Sequence, residues 1–131
     1  MEQAKILIVD DDPDITEVMK LVLENEGYSV GSAYDSKKAL DSVKADKPNL
    51  IILDVMMNTT REGFIFSREL KNNPDWKDIP ILMVTAIKEK TGIDFKEVAG
   101  DETWLPVEEF LDKPIKPDVL VAKVRELLNN S

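Results

Sequence analysis

Apolar positions fall along this chain in two rhythms. Short unbroken runs alternate with longer stretches in which apolar residues recur every three or four positions. The first kind predicts strands buried on both faces, and the second predicts helices that bury one side. The runs are Lys5-Ile6-Leu7-Ile8-Val9, a short one over 28–33, Leu50-Ile51-Ile52-Leu53-Asp54, Ile79-Pro80-Ile81-Leu82-Met83-Val84 and Glu109-Phe110-Leu111-Asp112. Between them, Ile15, Val18, Met19 and Val22 keep helical spacing, with Asp12 as N-cap, Pro13 at the first helical position and Gly27 as the stop. A second helix is predicted over 36–47, with Ala39, Leu40 and Val43 inward. A third covers 64–73, with Phe64, Ile65 and Leu70 as core contacts, and a last one covers 117–129, with Leu120, Val124, Leu127 and Leu128 on one face. Strands that alternate with helices predict an α/β fold, a parallel sheet covered on both sides.

The strand ends carry the chemistry. Asp10 and Asp11 follow the first strand, Asp54 ends the third, Thr85 follows the fourth and Lys113 follows the fifth. In a parallel sheet these ends share one edge, where open α/β sheets keep their ligand crevice. Three carboxylates there repel one another unless something positive lies between them. With no histidine and no cysteine in the chain, that cation is a hard, oxygen-bound one. Mg²⁺ fits, since it uses one or two carboxylates together with phosphate oxygens and water. The pattern therefore predicts an Mg²⁺ site beside a nucleophilic carboxylate, with a hydroxyl and an ammonium for phosphoryl oxygens. Each residue alone has a plainer reading. Asp10 and Asp11 could serve only the helix N-terminus, Asp54 could be a turn former, Thr85 a β-branched strand residue and Lys113 a solvated lysine.

Composition narrows the rest. At 131 residues the chain suits one domain, 1–131, with no output domain after it. Hydrophobic residues make up 43% and charged ones 33%, which predicts a soluble globular chain. A net charge of −9 argues against direct nucleic-acid binding, which needs a basic footprint. No run approaches the ~20 apolar residues of a membrane span, and the N-terminus has no signal-peptide pattern. A cytoplasmic protein is expected.

Four stretches taken together resemble the receiver domain of two-component response regulators. They are Ile6-Leu7-Ile8-Val9-Asp10-Asp11-Asp12-Pro13, Leu50-Ile51-Ile52-Leu53-Asp54-Val55-Met56-Met57, Met83-Val84-Thr85-Ala86 and Phe110-Leu111-Asp112-Lys113-Pro114. The resemblance implies a doubly wound five-stranded sheet of flavodoxin-like order 2-1-3-4-5. It implies Asp54 as phosphoacceptor, Asp11 as a direct Mg²⁺ ligand and Asp10 as a ligand directly or through water. It also implies Met56 as a backbone-carbonyl ligand, Thr85 as the hydroxyl on a phosphoryl oxygen, Lys113 as the cation beside the acceptor and Phe110 as the switch aromatic. A cis peptide would join Lys113 and Pro114. The implied partners are a histidine kinase or histidine phosphotransfer protein and an unknown downstream protein, with the domain a monomer or a phosphorylation-dependent dimer. The implied module catalyses only its own phosphorylation and dephosphorylation.

Two rivals belong to other classes. A phosphatase or phosphotransferase working through an aspartyl phosphate usually has a second acid two residues after the nucleophile, where this chain has Met56. A degenerate receiver serving only as a binding surface would not need Asp11, Asp54, Thr85 and Lys113 together. The chain also departs from the family. Asn58 stands where proline is frequent, the loop before Gly63 is one residue longer, and the segment from Thr85 to Lys113 is several residues longer. Gly92, Gly100 and Pro106 punctuate residues 87–107, which predicts a short or irregular fourth helix there.

Overall fold

The computed structural model describes residues 4–53, 60–85, 109–112 and 116–129. Five strands, β1 (Lys5–Val9), β2 (Ser29–Ala33), β3 (Leu50–Leu53), β4 (Ile81–Thr85) and β5 (Glu109–Asp112), form one sheet. Its order is β2-β1-β3-β4-β5, and every pairing is parallel. This is the predicted 2-1-3-4-5 order. The helices are α1 (Pro13–Asn25), α2 (Ser36–Ala45), α3 (Thr60–Asn72) and a C-terminal helix (Pro117–Asn129). The segment 87–107 and the Lys113-Pro114 peptide lie outside the described residues.

The unbroken apolar runs are explained by helices on both faces. Successive side chains of a strand point to opposite sides. Leu7, Val9, Ile51, Leu53, Ile81 and Met83 join Ala39 and Val43 of α2 and Phe66 and Leu70 of α3 in one buried cluster. Ile6, Ile8, Leu50, Ile52, Leu82 and Val84 join Met19 and Leu23 of α1 and Leu120 and Val124 of the C-terminal helix in the other. After Lys5, no side of β1 or β3 is left for a polar residue until the strands end.

Local signals set the helix limits. The side chain of Asp12 accepts from the N–H groups of Asp14 and Ile15, so it satisfies two of the donors that a helix start leaves open. Pro13 loses nothing there, because its missing N–H would have had no helical partner. At the other end Gly27 takes φ +96, and the N–H of Tyr28 turns back to the Leu23 carbonyl at 3.2 Å. Left-handed backbone suits glycine at this position.

Two expected core residues face outward. Val18 is 58% exposed and Ile65 is 43% exposed. The buried stripe of α1 runs instead through Thr16, Met19 and Leu23, with Ile15 and Val22 partly covered. Neighbouring residues on a helix are turned by about 100°, so Val18, one place before Met19, leaves the stripe. In α3 three apolar residues stand in a row, and the helix begins at Thr60, four residues before the expected start. The inward residue is Phe66, which is fully buried, and not Ile65. Leu70 is buried as expected. The C-terminal helix and the ends of β1 and β5 fall where the apolar pattern put them.

Apolar packing outweighs the ion pairs that tie the helices. Arg125 meets Glu26 at 2.6 Å and Lys5 meets Asp46 at 2.6 Å, both on the surface. Exposed pairs of this kind contribute roughly 0–1 kcal/mol, whereas one fully buried large aliphatic side chain contributes about 1.5–3 kcal/mol.

Phe66→Ala should lower the unfolding free energy by about 3–5 kcal/mol, and Ile65→Ala by under about 1 kcal/mol. Urea melts of the two variants check this, and equal losses would contradict the assigned α3 face. Asp12→Ala should cost about 0.5–2 kcal/mol, with Asp12→Ser restoring most of it. The same melts read that difference, and an Asp12→Ala midpoint equal to wild type would remove the cap from the account.

Candidate functional site

Strand register aligns the ends that carry the chemistry. Val9 is the partner of Leu53, and Leu53 is the partner of Met83. Thr85 is the partner of Asp112. The next residues in sequence after Val9, Leu53 and Asp112 are Asp10, Asp54 and Lys113. Asp54, Met56 and Lys113 lie outside the described residues, and for Thr85 and Phe110 the description covers the backbone. Of the predicted set, Asp10 and Asp11 are therefore seen in full, and Thr85 and Phe110 are seen as strand positions on β4 and β5.

Asp10 is buried, 2% exposed, at the point where β1 leaves the sheet. Its backbone N–H donates to the Ala33 carbonyl at 3.1 Å, which ties the turn to the end of β2. Its Oδ1 accepts from the N–H of Asp12 at 2.9 Å. Asp11, the next residue, is exposed. Burying an ionised carboxylate costs several kcal/mol unless it is both hydrogen-bonded and matched by positive charge.

The capping work falls on Asp12. Its Oδ1 lies 3.0 Å from the Asp14 nitrogen and 3.3 Å from that of Ile15. Its carbonyl accepts from the Thr16 N–H at 3.1 Å and the Thr16 Oγ1 at 2.8 Å. One acid is enough to cap a helix, so the plain reading of Asp10 and Asp11 as caps leaves their presence unexplained. Among the described residues no three acids lie close enough together to hold a metal ion, and the third acid of the expected set is Asp54.

Sequence reasoning passed over one feature of this edge. Tyr34, the first residue after β2, is 54% exposed, and the Lys38 ammonium lies 5.5 Å from its ring centroid. A signal for it was present, since Lys37 and Lys38 stand together in the first turn of a predicted helix, where acids are favoured.

Comparison with known proteins bears on what this strand-end arrangement is for. The sequence model of the response regulator receiver domain matches residues 6–125. Among curated proteins, the response regulator MprA of Mycolicibacterium vanbaalenii is 37% identical over 131 residues, which takes in 97% of this chain and 51% of that one. The chain thus spans about half the length of the curated relatives it matches. Among solved structures, the signal receiver domain of a signal transduction histidine kinase from Syntrophus aciditrophicus superposes with a TM-score of 0.82 at 31% identity, covering 97% of this chain and 91% of that one. The chemotaxis protein CheY4 of Vibrio cholerae gives a TM-score of 0.82 at 28% identity, covering 96% and 99%. Helix-covered parallel sheet, buried acid at the end of β1 and family match agree, and the chain belongs to the receiver-domain family of two-component response regulators.

Proposed function

We propose that this receiver domain takes a phosphoryl group onto Asp54 from the phosphohistidine of a histidine kinase or histidine phosphotransfer protein, in the cytoplasm, and signals through a phosphorylation-dependent protein contact. The observation that supports this most is Asp10. A buried carboxylate beside Asp11, at a strand end in register with the strand that runs into Asp54, is costly for a fold that needs only one helix cap.

In the transfer a carboxylate oxygen of Asp54 bonds to phosphorus, the bond from phosphorus to the donor imidazole breaks, and the imidazole leaves with the bonding pair. Phosphoryl transfer asks a protein mainly for positioning and charge. Asp54 supplies the nucleophile. Lys113 supplies an ammonium beside the acceptor, and the Thr85 hydroxyl donates to a phosphoryl oxygen. Phe110, on the neighbouring strand, reports the change as the switch aromatic, so that the downstream protein meets an altered surface.

Asp10, Asp11, Asp54 and the Met56 carbonyl would together offer a hard divalent cation an all-oxygen donor set. These residues would hold Mg²⁺. When bound, it would neutralise the crowded carboxylates and the charge that gathers on the phosphoryl oxygens. The domain would thus catalyse its own phosphorylation and the later hydrolysis.

Asp54→Asn keeps the shape and removes the nucleophile. Wild type incubated with a phosphorylated kinase and Mg²⁺ should gain the mass of one phosphoryl group, mapped by peptide to Asp54, and Asp54→Asn should gain none. Labelling of Asp54→Asn at the wild-type rate would place the acceptor elsewhere. Lys113→Ala should fold normally and lose most of the change in its amide spectrum on phosphorylation, and an unaltered response would remove Lys113 from the switch.

A further inference from the structure

The crevice edge has an electrostatic difficulty. Phosphodonors are anions, yet the chain carries a net charge of −9 and gathers Asp10, Asp11, Asp12 and Asp14 at the very end where a donor must arrive. Positive charge stands at the same sheet edge. The Ala33 carbonyl binds the Asp10 N–H at 3.1 Å, so Tyr34, the next residue, leaves β2 alongside Asp10. Lys38 lies over the Tyr34 ring at 5.5 Å, within cation–π range. Asp35 accepts from the Lys38 backbone N–H at 2.8 Å and so fixes the start of α2 at this edge.

The placement runs against local preference. The first turn of α2 holds Lys37 and Lys38, and the acid at that terminus is the Asp35 cap before it. Cations are disfavoured at a helix N-terminus, whose own partial charge is positive. Both lysines are exposed, and among the described residues neither forms an ion pair. A local rule broken at the edge of a site is what a functional charge looks like.

We infer that Lys38, held over Tyr34, steers anionic phosphodonors toward the acid edge and raises the rate of phosphorylation. The inference rests on the reading of Asp54 as the phosphoacceptor. It needs no bound anion, because a fixed charge acts on approach through its field and loses its effect as salt screens it. Lys38 is therefore a positioning residue for the donor and makes no bond to it. With acetyl phosphate as donor, a carboxylate oxygen of Asp54 bonds to phosphorus, the phosphorus–oxygen bond to the acetyl group breaks, and acetate leaves with the bonding pair.

The test compares rates of phosphorylation by doubly charged acetyl phosphate and singly charged phosphoramidate, with Mg²⁺ held constant, across a salt series. At an ionic strength of about 0.01 M, Lys38→Gln should slow both donors, the dianion by about the square of the monoanion's factor, because the interaction scales with the donor's charge. Lys38→Glu should roughly square each factor, and Lys38→Arg should retain the wild-type rate. At about 1 M salt all four proteins should react alike, since the screening length falls to about 3 Å. Equal rates for wild type and Lys38→Gln at low salt would overturn the steering role. So would a loss that ignores salt and donor charge, which would mark Lys38 as structural. If wild type gains no label at Asp54 from either donor, the phosphoacceptor reading fails and the steering role falls with it. Labelled wild type with an unchanged Lys38→Gln defeats steering alone.

Discussion

The structure depends on the parallel register of β1, β3 and β4. Val9, Leu53 and Met83 form one row across the sheet. Below that row every side chain of β1 and β3 after Lys5 is buried against helices, α2 and α3 on one side and α1 and the C-terminal helix on the other. Beyond that row β1 gives way to Asp10 and Asp11, and β4 runs on to Thr85. The same register that makes the core continuous thus puts carboxylates at one edge, where their mutual repulsion has to be met.

At that edge a buried acid takes the place of apolar packing. A sheet covered on both faces gains from each large apolar side chain that it buries, and the two clusters are well supplied. Asp10 gains nothing of that kind. It is almost fully buried, and its Oδ1 accepts from the Asp12 amide. Asp12 caps α1, and neither Asp10 nor Asp11 is needed for that cap. Division of labour among three consecutive acids is hard to explain by folding alone. It is natural in a receiver domain, where charge at the strand ends must answer to a cation and to a phosphoryl group.

Strands and sheet order were legible in the sequence because an unbroken apolar run needs cover on both faces, which a central parallel strand provides. The cap at Asp12, the stop at Gly27 and the limits of the C-terminal helix were legible because they rest on local backbone chemistry. Helix orientation was less so. Val18 and Ile65 stand next to other apolar residues, and spacing alone does not choose which of two neighbours turns inward; contact with β1, β3 and β4 chooses Met19 and Phe66. For the candidate site the sequence offered residue types at strand ends, of which the structure places Asp10 and Asp11 at the end of β1 and Thr85 in register with Asp112. The Tyr34–Lys38 contact was not read, because it joins a residue after a strand to the first turn of a helix and follows neither period.

The central claim is that the acids at this edge are held together against their own repulsion for the sake of a cation. Unfolding free energy measured with and without Mg²⁺, for wild type, Asp10→Asn and Asp11→Asn, tests it most directly. Mg²⁺ should stabilise wild type in proportion to its occupancy. Each neutral variant should be at least as stable as wild type without Mg²⁺ and should lose most of the gain on its addition. Variants that are weaker than wild type without Mg²⁺ and keep the full gain would show that the carboxylates serve the fold, and would contradict the account.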